Sequence, residues 1–175
     1  MNPVLIIGRF QPLCLNHADL FSQAKNLGEL LLIGVGQPNY ELAKKILPPK
    51  NYKLYELSYL FGYEKVKGWI DESLKDYYHL VKPVKDLFNK SLYQKHVESI
   101  FGIKKAILLG ENESTYSCFN SDNYEIIITK LSTNYHASDA RKEILNQGFS
   151  NKVAVKLTQE ELEKIIKSET LRTLL

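Results

Sequence analysis

Two segments of the sequence place basic and polar residues next to a glycine or a helix start, a pattern that suits anion binding. The first segment reads Gly8-Arg9-Phe10-Gln11-Pro12 and then Cys14-Leu15-Asn16-His17. A glycine at a strand end allows close approach of a ligand, and a helix N-terminus offers N–H groups to a phosphate. Arg9 and His17 add further donors. An ordinary strand–turn–helix connection with a solvated Arg9 and a capping Asn16 explains the segment equally well.

The second segment carries another arginine close to a predicted helix start. It reads Tyr135-His136-Ala137-Ser138-Asp139-Ala140-Arg141. Ser138 is a favourable N-cap residue, and Arg141 follows about one helical turn later. The chain has only three arginines, at positions 9, 141 and 172. Two of them lie at predicted helix N-termini, which favours a polyphosphate clamp over a capped helix with an exposed arginine.

Composition limits the class of protein that holds these segments. The chain has 175 residues, of which 44% are hydrophobic and 25% charged, with a net charge of +3. These values are typical of one globular domain, here 1–175, and exclude wholesale disorder. The charge is too small to indicate nucleic-acid or membrane binding. Cys14, Cys118 and the four histidines lack the spacing of a metal site, so we expect two thiols, a cytoplasmic location and no structural metal.

The elements that position the two segments alternate along the chain. Continuous apolar runs predict strands at 3–8, 30–33, 79–84, 105–109 and 125–129. Helical spacing predicts helices at 16–27, 50–61, 91–101, 138–145 and 158–166, the last with a Thr158–Glu161 capping box. Residues 62–78 have no clear pattern and fit a loop plus a helix. The alternation predicts a doubly wound parallel α/β sheet of Rossmann-like type, with its ligand at the carboxyl ends of the strands.

The order of these motifs resembles a known enzyme family. The first segment is similar to the Gly-Arg-Phe-Gln-Pro-Phe-His-x-Gly-His signature of archaeal-type nicotinamide mononucleotide adenylyltransferases, which are nucleotidyltransferases of the His-x-Gly-His superfamily. The resemblance covers about residues 4–147. Its weaker matches are the turn at 33–36, the segment from Pro83 to Ile100, the turn at 110–112 and the segment 135–141.

The resemblance implies a reaction and a set of site residues. AMP would pass from ATP to nicotinamide mononucleotide (NMN), giving NAD and pyrophosphate, with Mg²⁺ held mostly by triphosphate oxygens. The acceptor phosphate is already ionised, so catalysis needs positioning and charge stabilisation rather than a general base. Candidate catalytic residues are Arg9, His17, His136 and Arg141. Candidate substrate-binding residues are Gly8, Phe10, Gln11, Cys14, Gly36, Tyr93, Gly110, Asn112 and Ser138. Tyr93 stands where the family has a tryptophan that stacks on the nicotinamide ring, although packing in the core explains it equally well.

Two departures from the signature leave the activity open. Cys14 and Asn16 replace a histidine and a glycine of the family. A neutral thiol is a poor donor, and loss of one donor typically lowers the rate by about 10²–10³. The chain is therefore a slow enzyme, an adenylyltransferase for another phosphorylated acceptor, or a nucleotide-binding homologue without chemistry. We expect Cys14→His to raise turnover unless His136 supplies the missing donor. We also expect a homo-oligomer that uses the aromatic-rich segment 59–78.

Overall fold

Five parallel strands form the centre of the molecule. The structure is a computed structural model that describes residues 2–111, 116–129 and 136–175. The strands are β1 (Val4–Gly8), β2 (Leu31–Gln37), β3 (His79–Lys85), β4 (Ala106–Gly110) and β5 (Tyr124–Ile128). Their order in the sheet is β3-β2-β1-β4-β5, and every pairing is parallel. The predicted parallel α/β fold is confirmed.

Helices connect the strands and cover both faces of the sheet. Within the described ranges they are α1 (Leu15–Lys25), α2 (Tyr40–Ile46), α3 (Pro49–Glu56), α4 (Tyr63–Ser73), α5 (Lys90–Phe101), α6 (Ala137–Gln147) and α7 (Gln159–Thr173). The segment 62–78, which had no clear pattern in the sequence, contains α4. None of these helices combines the length and the apolar character that crossing a membrane would need.

The strands are continuously apolar because the sheet is covered on both faces. Val4 and Ile6 of β1 belong to one buried cluster, which also includes Phe21 of α1 and Ile70 of α4. Leu5, between them in the sequence, belongs to the cluster on the other face, which α5 covers. Successive side chains of this one central strand therefore pack into two cores, one on each face of the sheet.

Helix starts differ from the predicted ones at two places that bear on the site. The N-cap of α1 is Cys14 rather than Asn16. The N-cap of α6 is His136, and Ser138 lies within the first turn. There the Asp139 carboxylate accepts a 2.8 Å hydrogen bond from the His136 backbone N–H, which is the N3 side-chain bond of a capping box. The capping box of Thr158 and Glu161 at the start of α7 is confirmed.

The aromatic residues of segment 59–78 lie largely in the interior. Phe61 and Trp69 are both buried, and their rings meet edge to face with centroids 5.0 Å apart. Tyr63 donates from its hydroxyl to the Val81 carbonyl over 2.8 Å. Tyr78, in contrast, is 83% exposed. The apolar surface on which we based the predicted subunit contact is therefore mostly used inside the chain.

Candidate active site

A cavity of about 670 Å³ opens at the carboxyl edge of the sheet. The order of the strands makes this edge a switch point, because the connections from β1 and β4 leave in opposite directions. The predicted site residues among its lining are Gly8, Arg9, Phe10, His17, Gly36, Tyr93 and Gly110. The structure thus brings seven predicted residues, from five elements and the loop after β1, to one cavity.

Two strand-end glycines make room for the protein's own aromatic side chains. A Cβ atom on Gly8 would lie 2.9 Å from the Phe10 ring, and one on Gly110 would overlap the hydroxyl of Tyr116. That hydroxyl donates to the Leu109 carbonyl over 2.9 Å. The sequence predicts close approach of a ligand at Gly8, and the resemblance implies substrate binding at Gly110; in this structure aromatic side chains occupy the space beside both glycines.

The loop after β1 is fixed by its glutamine. The Gln11 amide nitrogen donates to the Phe61 carbonyl over 2.9 Å, and its amide oxygen accepts from the Phe61 N–H over 2.8 Å. Phe10 adopts a left-handed conformation with a φ of 54°, and its buried ring packs 5.0 Å from the His17 ring. Gln11 is therefore a structural tie, outside the cavity lining that the structure describes, and the loop presents Arg9 to the cavity.

His17 lines the cavity as a neutral hydrogen-bond donor. Its Nδ1 accepts a 2.9 Å hydrogen bond from the backbone N–H of Cys14, so the proton of a neutral ring must be on Nε2. Burial lowers the pKa of His17 to about 4, and the nearby His136 adds to the shift. At neutral pH the side chain therefore offers an N–H group without a positive charge.

Cys14 lies beneath the cavity rather than in its wall. Its side chain is fully buried, packs against Ala140 and Val153, and donates from Sγ to the Pro12 carbonyl over 3.4 Å. Burial raises the pKa of the thiol to about 12. Cys14 is absent from the described cavity lining, so its predicted contact with a phosphate lacks support from this geometry.

Arg141 is buried and has two partners inside the protein. Its Nε donates to Glu169 over 2.8 Å, and its terminal nitrogen Nη1 donates to the Gln11 carbonyl over 2.6 Å. We predicted a phosphate ligand at a helix start, but α7 covers this side chain and supplies the carboxylate that binds it. Arg141 therefore braces the loop after β1 and is not among the described lining residues.

The remaining predicted residues divide into two groups. His136 is exposed at the N-terminus of α6 and lies close enough to His17 to influence its pKa. Neither His136 nor Ser138 belongs to the described cavity lining. Asn112 and Tyr135 lie outside the residues that the structure describes.

Other lining residues were missed by the sequence analysis. They are chiefly Tyr59, Asp86, Phe88, Lys90 and Glu111. Tyr59 falls within the predicted helix 50–61, but α3 ends at Glu56, so Tyr59 lies after the helix and no local signal marked it as a site residue. Asp86 and Lys90 follow β3 at the carboxyl edge, where the fold class alone points to ligand contacts. Lys90 opens α5 and donates to the Ser117 hydroxyl over 3.1 Å.

The described lining of the cavity carries charges of both signs. Arg9 and Lys90 are its basic lining residues, and Asp86 and Glu111 are the acidic ones. Over the described ranges, no group of three or more His, Cys, Asp or Glu side chains is placed to hold a metal ion. The site therefore fits an anionic ligand that brings its own counter-ion.

Comparison with solved structures supports the fold. No protein-family model matches the chain, and no curated protein matches its sequence. A bifunctional NMN adenylyltransferase/ADP ribose pyrophosphatase from Francisella tularensis, solved with AMP and a manganese ion, superimposes with a TM-score of 0.68 at 16% identity. That alignment covers 99% of this chain and 54% of the Francisella chain.

Two further structures extend the comparison. A second structure of the Francisella protein gives a TM-score of 0.63 at 20% identity, over 95% of this chain and 49% of that one. A protein from Vibrio parahaemolyticus, assigned as a nicotinate-nucleotide adenylyltransferase, gives 0.51 at 12% identity over 95% and 96% of the two chains. The chain spans about half the length of the Francisella protein. At these identities the comparisons show that the chain has the fold of these adenylyltransferases.

Proposed function

We propose that the protein transfers AMP from ATP to NMN and releases pyrophosphate. One observation carries the proposal: the cavity at the switch point of the sheet is lined together by Arg9, neutral His17, Lys90 and Tyr93. These side chains supply two cations, an uncharged N–H donor and an aromatic ring. The chemistry matches a triphosphate joined to planar heterocycles.

The reaction needs no proton transfer from the protein. An ionised phosphate oxygen of the acceptor attacks the α-phosphorus of ATP and forms the new P–O bond. The bond between the α-phosphorus and the bridging oxygen to the β-phosphate breaks, and its electron pair leaves with pyrophosphate. Arg9 and Lys90 stabilise the growing negative charge, while the Nε2–H of His17 donates to a phosphate oxygen.

A divalent cation fits this cavity as a companion of the substrate. Mg²⁺ bound to a triphosphate typically takes only one or two ligands from the protein, and Asp86 and Glu111 are the acidic side chains in the lining. The ion would neutralise charge on the phosphates when bound. We propose Mg²⁺ for this place, held by triphosphate oxygens together with one of these carboxylates.

Aromatic side chains on the α5 side suit the acceptor ring. Tyr93 is partly buried, and its ring meets Phe119 edge to face with centroids 6.2 Å apart. Phe88 also lines the cavity and is 37% exposed. A face of Tyr93 or Phe88 gives a planar heterocycle an apolar surface to stack on.

A second candidate function is nucleotide binding without chemistry. Cys14 replaces a histidine of the related signature, and Arg141 was predicted to bind a phosphate, yet both side chains are buried and neither belongs to the described cavity lining. A protein that has lost two such contacts could retain affinity for ATP and lack turnover. This candidate predicts a calorimetric signal with ATP and no pyrophosphate.

A pyrophosphate-release assay separates the two candidates. The full chain is incubated with ATP, Mg²⁺ and, in turn, NMN, nicotinate mononucleotide or phosphopantetheine. We expect acceptor-dependent release, greatest with NMN. Release with phosphopantetheine alone would refute NMN as acceptor, and ATP binding without release from any acceptor would favour the second candidate. His17→Gln serves as the site variant, and Tyr78→Leu, at the opposite edge of the sheet, as the matched surface control.

A further inference from the structure

We infer that Tyr59 is a positioning residue that holds the Arg9 guanidinium in the cavity, oriented to bind a phosphate group. The Arg9 Cζ atom lies 5.1 Å from the centroid of the Tyr59 ring, and both residues line the cavity. The inference deepens the proposed function and rests on it for the identity of the nucleotide, which is ATP. Its core, phosphate binding by Arg9, can be measured without turnover.

The Arg9 side chain needs an external support. Its backbone is fixed by the neighbouring Gln11, but the side chain is exposed, and a free arginine side chain retains much rotamer freedom. None of the described ion pairs engages Arg9. Tyr59 is the described partner of the guanidinium: its ring lies under the Arg9 Cζ atom, and its hydroxyl also interacts with Arg9.

Stacking suits this task better than an ion pair would. A guanidinium placed over an aromatic ring keeps most of its five N–H groups available for hydrogen bonds to a phosphate. A carboxylate partner would occupy the same N–H groups. Arg141 shows the contrast within this chain, because Glu169 and the Gln11 carbonyl take its donors.

The Tyr59 ring itself is held in place from two sides. Its hydroxyl donates to the Asp86 carboxylate over 3.4 Å, which ties it to the end of β3. Its ring meets Tyr55 with centroids 5.2 Å apart and planes at 63°. Tyr55 is buried, and its hydroxyl accepts a 2.8 Å hydrogen bond from the Asn39 backbone N–H. Tyr59 therefore offers Arg9 a supported surface.

A double-mutant cycle on phosphate binding tests the inference. Inorganic triphosphate is titrated calorimetrically into the full chain and into Tyr59→Leu, Arg9→Ala and the double variant. We expect Tyr59→Leu to weaken binding by roughly 3- to 30-fold, the range of a cation–π contact. In the Arg9→Ala background the same change should have no further effect, because Tyr59 acts through Arg9. Tyr59→Phe keeps the ring and should lose less than about threefold.

The controls make each outcome decisive. Tyr78→Leu makes the same chemical change at the other edge of the sheet and should bind like the wild type. Equal losses from Tyr59→Leu in both backgrounds would overturn the inference, as would a Tyr59→Phe loss as large as that of Tyr59→Leu. Absence of triphosphate binding to the wild type would overturn it too. If Tyr59→Leu fails to fold, Tyr59→Met replaces it, since methionine keeps apolar bulk without an aromatic face.

Failure of the proposed function would look different. Wild-type protein that binds triphosphate and shows the expected cycle, yet forms no dinucleotide from ATP and NMN, would refute the adenylyltransferase and leave the role of Tyr59 intact. Dinucleotide formation combined with additive losses in the cycle would support the adenylyltransferase and refute the role of Tyr59.

Discussion

His17 combines two features that follow from its position at the third residue of α1. Its Nδ1 caps the helix by accepting from the Cys14 N–H, and its Nε2 carries the proton of the neutral ring in a side chain that lines the cavity. Because the ring is desolvated, its pKa falls to about 4. The same residue therefore stabilises the helix start and supplies an uncharged donor to the site.

The shifted pKa of His17 predicts how stability depends on pH. In the unfolded chain the histidine pKa is near its ordinary value of 6.5, and in the folded protein it is about 4. Between these values the unfolded state binds the proton and the folded state does not, so stability falls as the pH drops from 6.5 to 4. The loss attributable to this residue is up to about 3 kcal/mol.

Urea unfolding over this pH window measures the effect. His17→Gln retains a side-chain oxygen that can accept from the N-cap N–H, as glutamine does in a capping box, but it does not titrate. We expect the difference in unfolding free energy between wild type and variant to change steadily from pH 6.5 to 4. Parallel curves for the two proteins would contradict the assigned pKa.

The sequence alone predicts that Cys14→His raises turnover, but the burial of Cys14 predicts a loss of stability instead. The thiol is fully buried, and its neighbours Ala140 and Val153 leave a small site. An imidazole there would overpack the junction of α1 and α6, at a cost of about 1–3 kcal/mol. We therefore expect a lower Tm and no gain in turnover, with Cys14→Ala as the matched small variant. A stable Cys14→His protein with faster NAD formation would show that the side chain reaches the phosphates.

At the level of elements, Arg141 connects three parts of the fold that are distant in sequence, through an ion pair and a hydrogen bond. Arg141 of α6 binds Glu169 of α7 and the carbonyl of Gln11 in the loop after β1. Arg172 also approaches Glu169, with 3.3 Å between its Nε and the carboxylate. The C-terminal helix thereby braces the loop that presents Arg9 to the cavity.

Removal of Glu169 should be costly because it leaves a buried guanidinium without its carboxylate. We expect Glu169→Ala to destabilise the protein by about 3–5 kcal/mol. The double variant Arg141→Met/Glu169→Leu should recover part of this loss, since neither charge is then buried unpaired. Glu163→Ala, an exposed site on the same helix, is the control and should change stability by less than about 0.5 kcal/mol. Equal stability of Glu169→Ala and Glu163→Ala in urea unfolding would contradict the bracing role.

The strands were the most predictable elements, because a strand buried on both faces leaves a continuous apolar run. The prediction stopped β2 at Ile33, yet the strand continues to Gln37. Gly34 lies inside it because a Cβ there would come within 2.9 Å of Val84 in β3. Such a requirement depends on the neighbouring strand and has no local signal. The sequence predicts a loop plus a helix without bounds over 62–78, and the structure has α4 there from Tyr63 to Ser73. Gly68 lies inside this helix, where it weakens the local helical signal.

At the scale of the whole molecule, the fold class located the site better than individual motifs did. A parallel sheet places its ligand at the carboxyl edge, and seven predicted residues line the cavity found there. Of the residues that carried the motif argument, Arg9 and His17 line the cavity, whereas Ser138 and Arg141 lie outside the described lining, as does Cys14. The environments of Cys14 and Arg141 depend on Val153 and Glu169, contacts that connect distant parts of the chain and cannot be inferred from local spacing.

The central claim is that the cavity transfers an adenylyl group, and the fate of labelled phosphorus tests it most directly. The full chain is incubated with Mg²⁺, NMN and ATP that carries radioactive phosphorus at either the α or the γ position. We predict that the α label enters the dinucleotide and the γ label leaves in pyrophosphate, and that His17→Gln slows both. Transfer of the γ label to NMN, or retention of both labels in ATP, would contradict the account.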